Sequence, residues 1–283
     1  MRVGGAAALL GVVVWLGSPT PTIAWTPEMQ RILAEEAAWL APPDLYRQID
    51  RHRDWYLQGV RAPFESGGLE RHVKNPDGSG VLDRVIAVEV RTAIEAIRVH
   101  QPFEQIVYRL GVVSHYIADA NNPLAASDAD PRESEYFADF LYYMEAVEPR
   151  LPLIYYGLTP GVDGSIEPLT EAALARSRRL YPLVGREYRR IGFGPGREGF
   201  DDKSTAFGVV AVSFSQAVTD VVQALRYIWI EAGGADTRAL PEKGPKVVHL
   251  PRYDPERNEP PPALPRLPMA PPPPFPDASP TER

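Results

Sequence analysis

His115 and Asp119 are four residues apart in the run Leu110-Gly111-Val112-Val113-Ser114-His115-Tyr116-Ile117-Ala118-Asp119-Ala120-Asn121-Asn122-Pro123. Apolar residues recur there at Phe103, Ile106, Val107, Leu110, Val113 and Ile117, which is helical spacing. Pro123 stops the helix. On a helix, positions i and i+4 lie one above the other on one face. An imidazole and a carboxylate so placed can share one divalent metal ion. The same pair can also be read as a buried hydrogen bond, so the metal reading needs further residues to support it.

Those residues come from a resemblance. The run resembles the metal-binding helix of the zinc-dependent phospholipase C family, whose fold is shared with fungal single-strand-specific nucleases. That helix reads roughly L-x-x-x-x-H-[YF]-[IL]-x-D-x-x-Q-P-[ML]-H. Leu110, His115, Tyr116, Ile117, Asp119, Pro123 and Leu124 match it. Asn122 replaces the usual glutamine, and Ala125 stands where the family has a zinc-binding histidine.

The resemblance implies an all-α, multi-helix domain and a phosphoesterase that activates water with zinc, acting on phospholipid-type phosphodiesters. It further implies a tryptophan at the mature N-terminus whose freed amine binds metal, which would be Trp25. It also implies a loop histidine, matched by His72, and a carboxylate near Glu65, where the expected aspartate is missing. The expected set is therefore His115, Asp119, His72, Trp25 and Glu65 for metal, with Asp119 and Glu65 as the catalytic carboxylates. Histidines expected near Gln30, at Ala125 and near Leu141 are absent. At least one zinc is expected, and the full three-zinc cluster is not. The alternative is a binding or structural protein on the same helical scaffold, its catalysis lost.

Each of these residues also has a plainer reading. Trp25 can merely follow a cleavage point, and His72 can be a surface histidine in a polar loop. The carboxylates Asp128, Asp130, Glu133 and Asp139 offer a harder, oxygen-rich site for calcium or magnesium. Tyr136, Tyr142 and Tyr143 suit either core packing or the wall of an apolar pocket.

The elements that must position these groups follow from period and punctuation. Met1-Arg2, an apolar run from Ala6 to Leu16 and small residues ending at Ala24 have the layout of a secretory signal peptide over 1–24. That run is shorter than the ~20 residues a membrane span needs. The expected product is secreted or periplasmic, without a transmembrane anchor after cleavage. The chain of 283 residues has no cysteine, so no disulfide forms.

A net charge of −7 without a basic, aromatic-interleaved stripe argues against duplex nucleic acid as partner. From 239 onward prolines crowd the chain to residue 283. That stretch is expected to be a disordered tail, available to an envelope partner. The remaining 25–238 is long enough for one well-cored domain.

Within it, Thr26-Pro27 opens a helix that Pro42-Pro43 breaks, with Gln30 or Arg31 in the place of a missing histidine. Helices are expected over 44–59, 81–100, 102–119, 135–147, 169–190 and 204–230. Core candidates include Leu45, Ile49, Trp55, Tyr56, Val60, Ile86 and Val88. The last helix is apolar nearly all round and belongs at the centre.

Overall fold

A computed structural model of the chain describes residues 24–65, 68–157, 159, 162–235 and 246–249. The signal-peptide reading of 1–24 lies outside them except at Ala24. So does the tail reading, except at 246–249.

The fold is helical, as the periodicity predicts. In chain order the elements are α1 (Pro27–Leu40), α2 (Pro43–Arg51), α3 (Arg53–Glu65), α4 (Leu82–Arg98), α5 (Phe103–Ala120), α6 (Pro123–Ala126) and α7 (Glu133–Val147). They continue with β1 (Leu153–Tyr155), α8 (Glu167–Ile191), α9 (Gly196–Gly199), α10 (Thr205–Glu231) and β2 (Lys246–His249). The Thr26 hydroxyl accepts from the Met29 amide to cap α1, and the Ser204 hydroxyl accepts from Phe207 to cap α10. Gly192 at φ 73° ends α8 in the left-handed conformation that glycine tolerates.

α5 is the hub. It is packed by α3, α4, α10, α1 and α8, and everything from Leu110 to Ala120 is buried except Val112. Its crossing with α3 is unusually close because two glycines face each other's helix. A Cβ on Gly59 would stand 1.9 Å from the Tyr108 carbonyl oxygen, and one on Gly111 would stand 2.1 Å from that of Tyr56.

α10 is long and apolar enough to cross a membrane by length and composition, yet most of it is buried within the fold. It lies against α5, α8, α1, α4 and β1. Its polar residues at four-residue spacing have a structural use. Ser215, Thr219 and Gln223 accept from the amides of Ile154, Tyr156 and Thr159, satisfying one edge of the chain at β1. The other edge pairs antiparallel with β2, with Leu153 opposite His249 and Tyr155 opposite Lys246. The stretch 246–249, the described part of the expected tail, is therefore a strand.

Other departures are local. The helix expected over 44–59 is divided at His52, which leaves helical geometry at φ −114° and ψ 33°. Trp55, Val88 and Tyr142 are exposed, against their expected places in the core or a pocket wall. In each case a neighbouring residue takes the inward face: Tyr56, Ile86 with Val90, and Tyr143.

Candidate metal centre

His115 and Asp119 face inward from the C-terminal half of α5, both fully buried. His72 reaches them from the loop between α3 and α4 and is 5% exposed. That loop is held by its backbone. Lys74 N–H donates to the Ala125 carbonyl at 2.8 Å, Leu82 to Val73, and Val81 to Glu70. Arg178 of α8 donates to the carbonyls of Lys74 and Ala126. Gly80 adopts φ 77°, and a Cβ there would meet the Val73 carbonyl oxygen at 2.1 Å, so the turn requires glycine.

The three side chains converge. His72 Nδ1 is 2.7 Å from Asp119 Oδ2, His115 Nε2 is 3.2 Å from that oxygen, and the two ring nitrogens are 3.3 Å apart. Zinc bonds of about 2.0–2.1 Å in a tetrahedron put neighbouring ligand atoms about 3.3 Å apart, so two of the three edges already match. Among the described residues these are the His, Asp and Glu groups whose ligand atoms all lie within 4.8 Å of one another.

Second contacts fix the donors. His115 Nδ1 is 2.8 Å from the Val60 carbonyl oxygen, which can only accept, so Nδ1 carries the hydrogen. In the neutral ring Nε2 then presents its lone pair to the centre. Gln30 Nε2 donates to Asp119 Oδ1 at 2.8 Å and, at 3.4 Å, to the His115 carbonyl. That leaves Oδ2 for the centre. Phe64 packs edge-on against His115 at 4.6 Å, and Tyr116 flanks both imidazoles at 5.4 Å.

Electrostatics agree with this geometry. Burial opposes the charge on Asp119, but the charge and hydrogen bond of His115, followed by those of His72, hold its carboxyl below the usual carboxylate range. Burial also opposes charging of His72, and the hydrogen bond and charge of Asp119 outweigh it, so the imidazole sits above its usual range. With both imidazoles neutral and presenting lone pairs, three acceptor atoms face one point, an arrangement a cation satisfies. A proton supplies one bond there, whereas a divalent cation supplies three.

Glu65 does not join the three converging side chains. Glu65 is exposed at the end of α3 and lines an open cavity of about 550 Å³ with Asp54, Arg61 and Tyr108. The reason is helical rotation: α3 turns its Val60 carbonyl and Phe64 ring to His115, which sends Glu65 to solvent. Trp25 is fully buried, with its indole Nε1 donating to the Ala118 carbonyl at 2.9 Å, one residue from Asp119. In the full chain its main-chain nitrogen is an amide and offers no lone pair.

The alternative oxygen-rich cluster does not gather around one point. Asp130 pairs with Arg189 and Tyr136, Glu133 accepts from Tyr181, and Asp139 accepts from Tyr188 and from the Gly196 amide. Gln30 had a signal in the sequence, a polar residue within the buried stripe Met29, Leu33, Ala34 and Ala37. The Val60 carbonyl had none, because backbone groups are shared by every residue type.

No protein-family model and no curated protein matches this chain.

Proposed function

We propose that this chain is a divergent protein of the zinc-dependent phospholipase C type that retains one metal centre. His72, His115 and Asp119 hold a single divalent ion, zinc by preference. The convergence of their three ligand atoms within 4.8 Å carries the reading. Two imidazoles and one carboxylate, with His115 and Asp119 oriented by further hydrogen bonds, suit zinc, copper or cobalt better than calcium or magnesium.

With His115 and Asp119 fully buried, the ion ties α5 to the His72 loop and stabilises a non-catalytic helical scaffold. The reading also places the protein outside the cytoplasm, through residues 1–24.

A second reading is phosphodiester hydrolysis, including phospholipid-type substrates. The donor count favours it, since three protein ligands are the usual number at a catalytic zinc. A bound ion there would supply a hydroxide near neutral pH and neutralise a phosphate oxygen. His72, His115 and Asp119 would then hold the ion.

Metal analysis of the purified protein, with hydrolysis of a chromogenic phosphodiester and of phosphatidylcholine, tests both. About one zinc per chain without hydrolysis supports the scaffold, and about one with hydrolysis supports the enzyme. No metal, and none lost from an Asp119→Ala variant, overturns the centre itself.

A further inference from the structure

Gln30 is 1% exposed and both hydrogens of its Nε2 are spent on α5, on Asp119 Oδ1 and on the His115 carbonyl. Its Oε1 is buried and has no hydrogen-bond partner among the described residues. A buried acceptor left without a partner costs about 1–3 kcal/mol, so such an atom marks something that fills it.

We propose that Gln30 is the fourth protein donor of the centre, its Oε1 closing the shell of the ion held by His72, His115 and Asp119. The proposal rests on the metal reading above and deepens it. A planar primary amide that bonds a carboxylate through the N–H cis to its own oxygen brings that oxygen alongside the second carboxylate oxygen. Two oxygens side by side repel unless a cation lies between them. Asp119 cannot supply that cation as a proton, because its Oδ2 already faces His72 Nδ1 at 2.7 Å and His115 Nε2 at 3.2 Å. An ion bound to Oδ2 is the group that both oxygens can share.

The consequence is functional. Four buried protein donors make a closed shell, which is the arrangement of a structural ion, with no position for a nucleophilic water. The ion then fastens three separate parts of the chain together: α1 through Gln30, the loop through His72, and α5 through His115 and Asp119. An ion in that place stabilises the packing of α1, which the buried Met29 and Leu33 begin.

The test uses the full chain loaded with cobalt(II), read by visible absorption. The wild type is expected to give the strong bands of four-coordinate cobalt, unmoved by added azide. Gln30→Leu is expected to bind cobalt at least about tenfold more weakly and to gain an azide-sensitive band. Gln30→His, which restores a donor, is expected to return affinity to within about threefold of wild type. Far-ultraviolet circular dichroism establishes that each variant is folded, and if Gln30→Leu does not fold, the wild-type azide response and Gln30→His decide the matter.

A wild-type spectrum that shifts with azide overturns the proposal, because it shows an open position holding water. So does a folded Gln30→Leu that binds as wild type does. A wild type that binds no cobalt overturns the metal reading itself, which separates the two failures.

Discussion

The glycine-lined crossing of α3 and α5 offers a test of how the centre is held. Gly111 lies one turn before His115 on α5, and a Cβ there would stand 2.1 Å from the Tyr56 carbonyl oxygen and 2.8 Å from the Val60 amide nitrogen. Ordinary contact begins at 3.4 Å, and both obstacles are backbone, so no side-chain rotation relieves the clash. Gly111→Ala must therefore push α3 and α5 apart by about 1.3 Å. Overpacking a filled interior costs about 2–3 kcal/mol, which for a chain of this size lowers Tm by about 5–10 °C.

The same shift lengthens the bond from His115 Nδ1 to the Val60 carbonyl, now 2.8 Å, to about 4 Å, beyond hydrogen-bond range. The imidazole loses the partner that fixes its tautomer, and metal affinity should fall about 10–100-fold. Gly208→Ala is the control. It sits in α10 with nothing within 4 Å of its added carbon, and it should gain about 0.5–1 kcal/mol from helix propensity. Urea midpoints and zinc affinity measured side by side decide it. Gly111→Ala within about 0.5 kcal/mol of wild type with unchanged affinity would refute the argument that this crossing orients the histidine.

Three further outcomes follow from buried charges. Without metal, His72 is held above its ordinary 6.5, so its contribution to stability is complete below that value and is lost as pH rises through the folded pKa. Metal binding needs the neutral imidazole, so zinc affinity should rise over the same interval; urea midpoints from pH 5 to 9 with and without zinc should diverge. Asp220 is pushed up to about 6 by burial, against the pull of Arg176, so the native state holds its proton between 3.8 and about 6 and stability from this group falls across that window. Arg176→Leu leaves the carboxylate unpaired and should cost about 3–5 kcal/mol at pH 7.5 but distinctly less at pH 5, by urea denaturation. Glu133 is raised to about 7 by burial, against the hydrogen bond from Tyr181 and with help from Asp128 and Asp130. Its ionised form is the disfavoured one, so Glu133→Gln should stabilise by about 1 kcal/mol at pH 8, discounted for partial exposure, and change little at pH 4 by thermal melting.

Much of this architecture is legible in the sequence because it rests on local rules. Thr26-Pro27 and Ser204 mark helix starts, Pro123 follows a helix end, and the apolar period of 103–119 places α5 correctly. The pairing of His115 with Asp119 is equally local, being one turn of helix. What escapes is whatever depends on a neighbour. Trp55 and Tyr56 are adjacent aromatic residues, and only the arrival of α5 at Gly59 and Gly111 decides that Tyr56 turns inward. Glu65 looks equivalent to a ligand by distance along the chain, yet rotation about α3 assigns the inward face to Phe64. β2 lies some 90 residues after β1, and no local pattern announces the pairing.

Ala125, Asn122 and Asp139 each take part in a structural hydrogen bond beside the candidate centre. Ala125 is buried, and its carbonyl receives the Lys74 amide, which pins the loop bearing His72. Asn122 caps α6 through the Leu124 amide and donates from Nδ2 to the Ala24 carbonyl, fixing the approach to Trp25. Asp139 on α7 accepts from Tyr188 at 2.5 Å and from the Gly196 amide at 2.6 Å, joining α7 to α8 and α9. The methyl group of Ala125 gives a cation nothing to bind, while Asp139 Oδ2 and the Asn122 amide are engaged in the bonds just described. These positions hold the helices in place through hydrogen bonds, and the Lys74 to Ala125 bond aligns the loop that carries His72. Restoring a single histidine at Ala125 would therefore add a donor without freeing the carboxylates a second ion needs, and such a variant should still bind one metal per chain.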